Sequence, residues 1–141
     1  MEKLKVQDLM TERVLSIQAD EDLEKLNELM GEIQVRHIPV VDDEGDLIGI
    51  VSQRDLLRSA LDTIGILPQA QQKDLLSNTT VREIMVADPE TVEAGQNIDE
   101  AGQIMLDNKL GCLPVVEGYK LVGILTEADF VKFLATHPQK V

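Results

Sequence analysis

The sequence predicts a mixed α/β (α+β) protein made of two β-α-β-β-α repeats, packed sheet to sheet with pseudo-twofold symmetry. Three observations predict it. One pattern occurs twice along the chain, each copy alternates helical with strand periodicity, and each copy is too short to make a large core by itself. The duplication is direct: Val6-Gln-Asp-Leu-Met10 returns as Val81-Arg-Glu-Ile-Met85, and Ile38-Pro-Val-Val41 as Leu113-Pro-Val-Val116, both 75 residues later. Beyond the hairpin the offset becomes 74, since Gly49-Ile-Val-Ser-Gln-Arg-Asp55 matches Gly123-Ile-Leu-Thr-Glu-Ala-Asp129. The deletion falls where Asp42-Asp-Glu-Gly-Asp46 is replaced by Glu117-Gly-Tyr119, as a hairpin turn tolerates.

Each copy opens with a short strand, around Val14 to Ile17 or Thr91 to Val92. Asp22 or Asn97 then suits the N-cap of a helix. Leu23, Leu26, Leu29, Met30 and Ile33, echoed by Ile98, Ala101, Ile104 and Met105, carry its apolar face at helical spacing. Next, Arg36 to Val41 and Leu47 to Val51 read as a β-hairpin, repeated at Leu113 to Val116 and Leu121 to Leu125. A second helix starts at Ser52 or Thr126, with Leu56, Leu57, Ala60 and Leu61, or Phe130, Val131, Phe133 and Leu134, on its apolar face. The repeats span 1–62 and 79–141, and the Gly- and Pro-containing stretch 63–78 is a connector with room for a short helix over 69–76. Halves of about sixty residues are marginal alone, so the sheets are expected to pack together and leave two equivalent clefts.

Composition bounds the function. The 141 residues carry 26 acidic against 13 basic side chains, a net charge of −13, which repels nucleic acid and anionic membranes. A small anionic ligand remains possible, because charge is screened over about 8–10 Å and a local basic cluster can prevail. No apolar run reaches the ~18 residues of a membrane span and no secretory leader is evident, so the expected compartment is the cytoplasm. With one cysteine, Cys112, neither an internal disulfide nor a thiolate zinc cage can form, and an inert buried thiol is expected. His37 and His137 form no ligand pair with it, and the acidic turn lacks the spacing of a calcium loop. Met10 and Met85 read as packing residues. No positioned nucleophile or Walker-type loop suggests an enzyme.

The repeated Gly-apolar-apolar-Ser/Thr-x-x-Asp pattern has two readings. Ser52 and Thr126 at a helix N-terminus favour an anion such as phosphate, and Asp55 and Asp129, one turn later, can accept both hydrogens of a ribose diol. The same spacing makes a capping box, which is structural. Arg36 suits bidentate phosphate binding, with Arg54 or Arg58 adding charge from the second helix, although a solvated ion pair is the commoner fate of an arginine.

Taken together, Ile38-Pro-Val-Val-Asp42, the turn, Leu47-Ile-Gly-Ile-Val-Ser-Gln-Arg-Asp55 and their second copies resemble the signature of CBS domains, over nearly the whole chain. The resemblance implies a regulatory pair that binds an adenine nucleotide or related adenosyl ligand (AMP, ADP, ATP or S-adenosylmethionine), catalyses nothing and requires no cofactor. It implies Asp55 and Asp129 on ribose, Ser52 and Thr126 near phosphate, and Leu15, Ile38, Val51, Thr91, Leu113 and Leu125 lining the base pockets. Arg36 and His37 stand at the family's basic positions before the proline. The second copy has Gly111 and Cys112 there, so the two sites are expected to differ. A homodimer and a protein target acting in trans are also implied, and the alternative is a ligand-free interaction module.

Overall fold

The computed structural model describes residues 4–12, 14–33, 36–64, 74 and 76–136. Its mixed α/β elements fall into two compact units, residues 15–89 in one and residues 1–14 with 90–141 in the other. The expected helix over 69–76 and His137 lie largely or wholly outside the described residues.

In the 15–89 unit, strand β1 (Ile17–Gln18) leads to helix α2 (Leu23–Ile33), the hairpin strands β2 (His37–Val41) and β3 (Leu47–Ser52), helix α3 (Gln53–Ile64), the short helix α4 (Val81–Ile84) and strand β4 (Val86–Ala87). The sheet order is β1-β2-β3-β4. β1 runs parallel to β2, with Ile17 opposite Val40, while β2 and β3 are antiparallel, with Ile38 opposite Val51. Asp22 caps α2 as expected, its carboxylate accepting from the Lys25 N–H at 2.8 Å. The Asp42 carboxylate is consumed by its own turn, accepting the Glu44 and Asp46 amides at 2.9 and 3.0 Å, and Gly45 supplies the left-handed φ of 84°. That acidic loop is therefore a self-bonded turn.

The other unit repeats the plan. Helix α1 (Val6–Leu9) joins β5 (Val92–Glu93), α5 (Ile98–Asn108), β6 (Cys112–Glu117), β7 (Lys120–Thr126) and α6 (Glu127–Thr136). The sheet order is β5-β6-β7, with Val92 opposite Val115 and Leu113 opposite Leu125. Asn97 stands at the N-cap of α5, but its side chain makes no cap bond and instead accepts from Lys5 Nζ at 2.7 Å. The ammonium outcompetes the backbone because a charge-assisted bond is the stronger one.

Packing exchanges the first segment of each repeat. The Val6 and Gln7 amides donate to the Gln96 and Ala94 carbonyls at 2.9 and 3.0 Å, and those of Val81 and Arg82 to Glu21 and Ala19 at 2.8 and 2.9 Å. Val6 and Val81, both 0% exposed, thereby complete the core that the other repeat's strands and helices begin. Each core is almost wholly aliphatic: Ile17, Leu23, Leu26, Ile38, Val40 and Val51 in one, Val92, Ala101, Met105, Leu113, Val115 and Leu125 in the other. Among the described residues no helix is long and apolar enough to cross a membrane.

Candidate functional site

The strand-to-helix turn from β3 into α3 positions the first-repeat candidates. Ser52 ends the strand and caps the helix: the Asp55 N–H donates to Ser52 Oγ at 3.0 Å and the Ser52 N–H donates to Asp55 Oδ2 at 2.9 Å. The next amide, that of Gln53, donates to the Arg36 carbonyl at 2.8 Å, which ties the helix start to the start of β2. Because Ser52 lies opposite His37 in the ladder, the residues before the proline and the residues of the helix cap meet. They line one pocket of about 540 Å³, formed by Arg36, His37, Ser52, Gln53, Arg54 and Leu57. Its volume lies within the ~300–1,000 Å³ usual for small-molecule sites.

Arg36 and Arg54 are exposed and His37 is half-buried. Among the described residues neither guanidinium is paired with a carboxylate, whereas Arg82 pairs with Asp20 at 3.4 Å. Burial pushes the His37 pKa below its ordinary 6.5, the Asp55 carboxylate opposing this and the Arg36 charge adding to it. The imidazole is therefore biased toward its neutral form. Arg58, one turn further along α3, is exposed and does not line the pocket.

The second copy keeps the cap and loses the charge. The Thr126 N–H donates to Asp129 Oδ2 at 2.9 Å, the Asp129 N–H donates to Thr126 Oγ1 at 3.2 Å, and the Glu127 amide donates to the Gly111 carbonyl at 3.1 Å. Gly111, Cys112 and Glu127 stand where the first copy has Arg36, His37 and Gln53. Asp129 is buried, and its Oδ1 accepts from Thr11 Oγ1 at 3.1 Å. Thr11 is a residue the sequence reading passed over. The available signal was its place directly after Met10 in the repeated opening segment, where the second copy has Val86.

Of the residues expected to line the base pockets, Ile38, Val51, Leu113 and Leu125 are each 0% exposed and belong to the two cores. Strand residues from Ile38 to Val41 are all buried, which removes the alternation that would turn one residue in two outward. Leu15 is 39% exposed and lies off the pocket lining, as does half-buried Thr91. Cys112 is buried and its thiol is pushed up to about 11 by desolvation, as expected of an inert thiol. No group of three or more histidine, cysteine or carboxylate side chains that could hold a metal ion occurs among the described residues.

The CBS domain family model matches residues 6–62 and 81–136, one span for each copy of the repeat. The chain belongs to the CBS domain family. This CBS pair is similar to the solved structure of a Vibrio cholerae protein named for acetoin utilization (AcuB), 35% identical with a TM-score of 0.79, covering 96% of this chain and 95% of that one. It is also similar to CBSX2 from Arabidopsis thaliana, which has been solved in complex with AMP, at 29% identity and a TM-score of 0.80 over 96% of this chain and 98% of that one. A protein of Methanocaldococcus jannaschii is 30% identical over 131 residues, 93% of this chain, and this CBS pair spans 43% of that protein's length.

Proposed function

We propose that this CBS pair is a non-catalytic regulatory module of the cytoplasm that binds an adenine nucleotide through its first repeat. The observation that carries the reading is the convergence of Arg36, His37, Ser52 and Arg54 on one pocket, the two guanidinium groups without a carboxylate partner among the described residues. An acidic chain that gathers cations in one concavity has a place for an anion. The AMP complex of CBSX2 supports the adenosyl part. Asp55 does not line the pocket and its Oδ2 holds the cap, so a bond from a ribose hydroxyl to this carboxylate is part of the proposal and rests on the family resemblance. Ligand occupancy then shifts the conformational ensemble seen by a protein target, in a homodimer of this chain.

Calorimetric titration with AMP, ADP and ATP tests the reading, together with mass spectrometry of ligand carried through gentle purification. Saturable binding, weakened by Arg36→Gln with an unchanged melting profile, is expected. No heat and no thermal shift at millimolar nucleotide would sink it. A second reading, an interaction module without ligand, is favoured by the reciprocal cap bonds of both motifs, which give Asp55 and Asp129 a structural role. Under that reading Arg36→Gln changes neither ligand binding nor stability, whereas Asp55→Ala lowers stability alone.

A further inference from the structure

The lining of the first-repeat pocket is more cationic than its surroundings call for. Three of the five arginines of the chain fall between positions 36 and 58. With twice as many acidic as basic side chains in the chain, carboxylate partners are plentiful. Arg36 and Arg54 nevertheless reach the pocket unpaired among the described residues, with His37 beside them. The nearest cap carboxylate, Asp55, is turned to the Ser52 amide at 2.9 Å. The backbone adds a further donor. Of the first three amides of α3, that of Gln53 is held by the Arg36 carbonyl and that of Asp55 by Ser52 Oγ, while no partner is found for the Arg54 amide among the described residues. The positive end of a twelve-residue helix thus faces the same concavity as both guanidinium groups.

These donors are spread out. Arg36 precedes β2, His37 begins that strand, and Arg54 lies in the first turn of α3. One phosphate is satisfied by a single guanidinium fork. Several donors distributed around a pocket of about 540 Å³ suit a ligand whose negative charge is itself extended.

We infer that this site selects its ligand by charge, taking a chain of two or more phosphates and rejecting S-adenosylmethionine, whose net charge at neutral pH is positive. For its adenosyl part the inference rests on the nucleotide reading above; for the phosphate cradle it does not. ATP and ADP are the ligands of the site, AMP is a weaker one, and adenosine weaker still. Because both arginines are exposed, their attraction is screened, and the preference for ATP over AMP narrows as salt rises.

The test is calorimetry on the full chain with sodium tripolyphosphate, ATP, AMP, adenosine and S-adenosylmethionine, at low and at raised salt. Tripolyphosphate is expected to bind and to compete with ATP. Arg36→Gln and Arg54→Gln are each expected to weaken ATP and tripolyphosphate about tenfold, the low end of what a hydrogen bond to a charged group contributes, with adenosine little changed. Both side chains are exposed, and thermal melts of the variants verify the fold. Absence of tripolyphosphate binding overturns the inference, as does S-adenosylmethionine or adenosine binding as tightly as ATP. AMP equal to ATP at low salt also overturns charge selection and leaves the nucleotide reading standing. Tripolyphosphate equal to ATP supports charge selection and removes the adenine from the reading.

Discussion

Single residues set the chemistry of the pocket, and His37 is the most informative. Its pKa is lowered chiefly by burial, so at mildly acidic pH the folded chain holds fewer protons there than the unfolded chain. The contribution of His37 is therefore fully present above its ordinary 6.5 and is lost as pH falls below it toward the depressed folded value. Melting temperatures followed across that range should fall less steeply for His37→Gln than for the parent chain. Ligand binding reverses the sign. A phosphate beside the imidazole favours the charged form, so ATP affinity should rise as pH falls from about 7.5 to about 6. Calorimetry in buffers of different ionisation enthalpy should record proton uptake that vanishes in His37→Gln. Cys112 gives the opposite case: with its thiol pushed up to about 11, alkylation at neutral pH should be slow in the folded chain and fast in denaturant.

At the scale of elements, the glycine of each Gly-apolar-apolar-Ser/Thr-x-x-Asp motif serves packing between segments. A Cβ at Gly49 would lie 2.6 Å from Met85 Sδ and 3.0 Å from the Val86 carbonyl oxygen; at Gly123 it would lie 2.6 Å from Met10 Sδ and 3.1 Å from the Thr11 carbonyl oxygen. The methionine can move but the backbone oxygen cannot, because it belongs to the segment paired with that strand. Gly49→Ala and Gly123→Ala should each cost about 1–3 kcal/mol, as overpacking does, read as a lower denaturation midpoint. Adding Met85→Ala should not restore Gly49→Ala. The caps belong to this scale too: Thr126→Ala should cost about 1 kcal/mol of stability by the same measurement, the usual worth of an N-cap side chain.

For the whole molecule, sequence repeats and compact units divide the chain differently. The opening segment of each repeat, with Val6 or Val81 fully buried, completes the core of the other repeat's strands. A fragment of residues 1–62 lacks Val81 and β4, while a fragment of residues 15–89 retains every residue of the Ile17–Leu23–Ile38–Val51–Val81 core. Circular dichroism and urea melts should find cooperative unfolding in the second fragment and none in the first. Equal stability of the two would show that the exchanged segments contribute nothing.

The sequence by itself determined the duplication, the order of strand, helix, hairpin and helix in each copy, and the family. These rest on local periodicity and on motif identity, which need no knowledge of distant contacts. It also marked Arg36, His37, Ser52 and Arg54, since charged and capping residue types stand out in an acidic, aliphatic chain. Only the tertiary structure decided that these four share a pocket, because the ladder pairing of His37 with Ser52 joins positions that are distant in the chain. It likewise decided that Ile38, Val51, Leu113 and Leu125 belong to the cores, that Lys5 takes the Asn97 side chain, and that Thr11 reaches Asp129 across 118 residues. Burial and long-range hydrogen bonds depend on how distant segments pack, and periodicity reports only which face of an element is apolar.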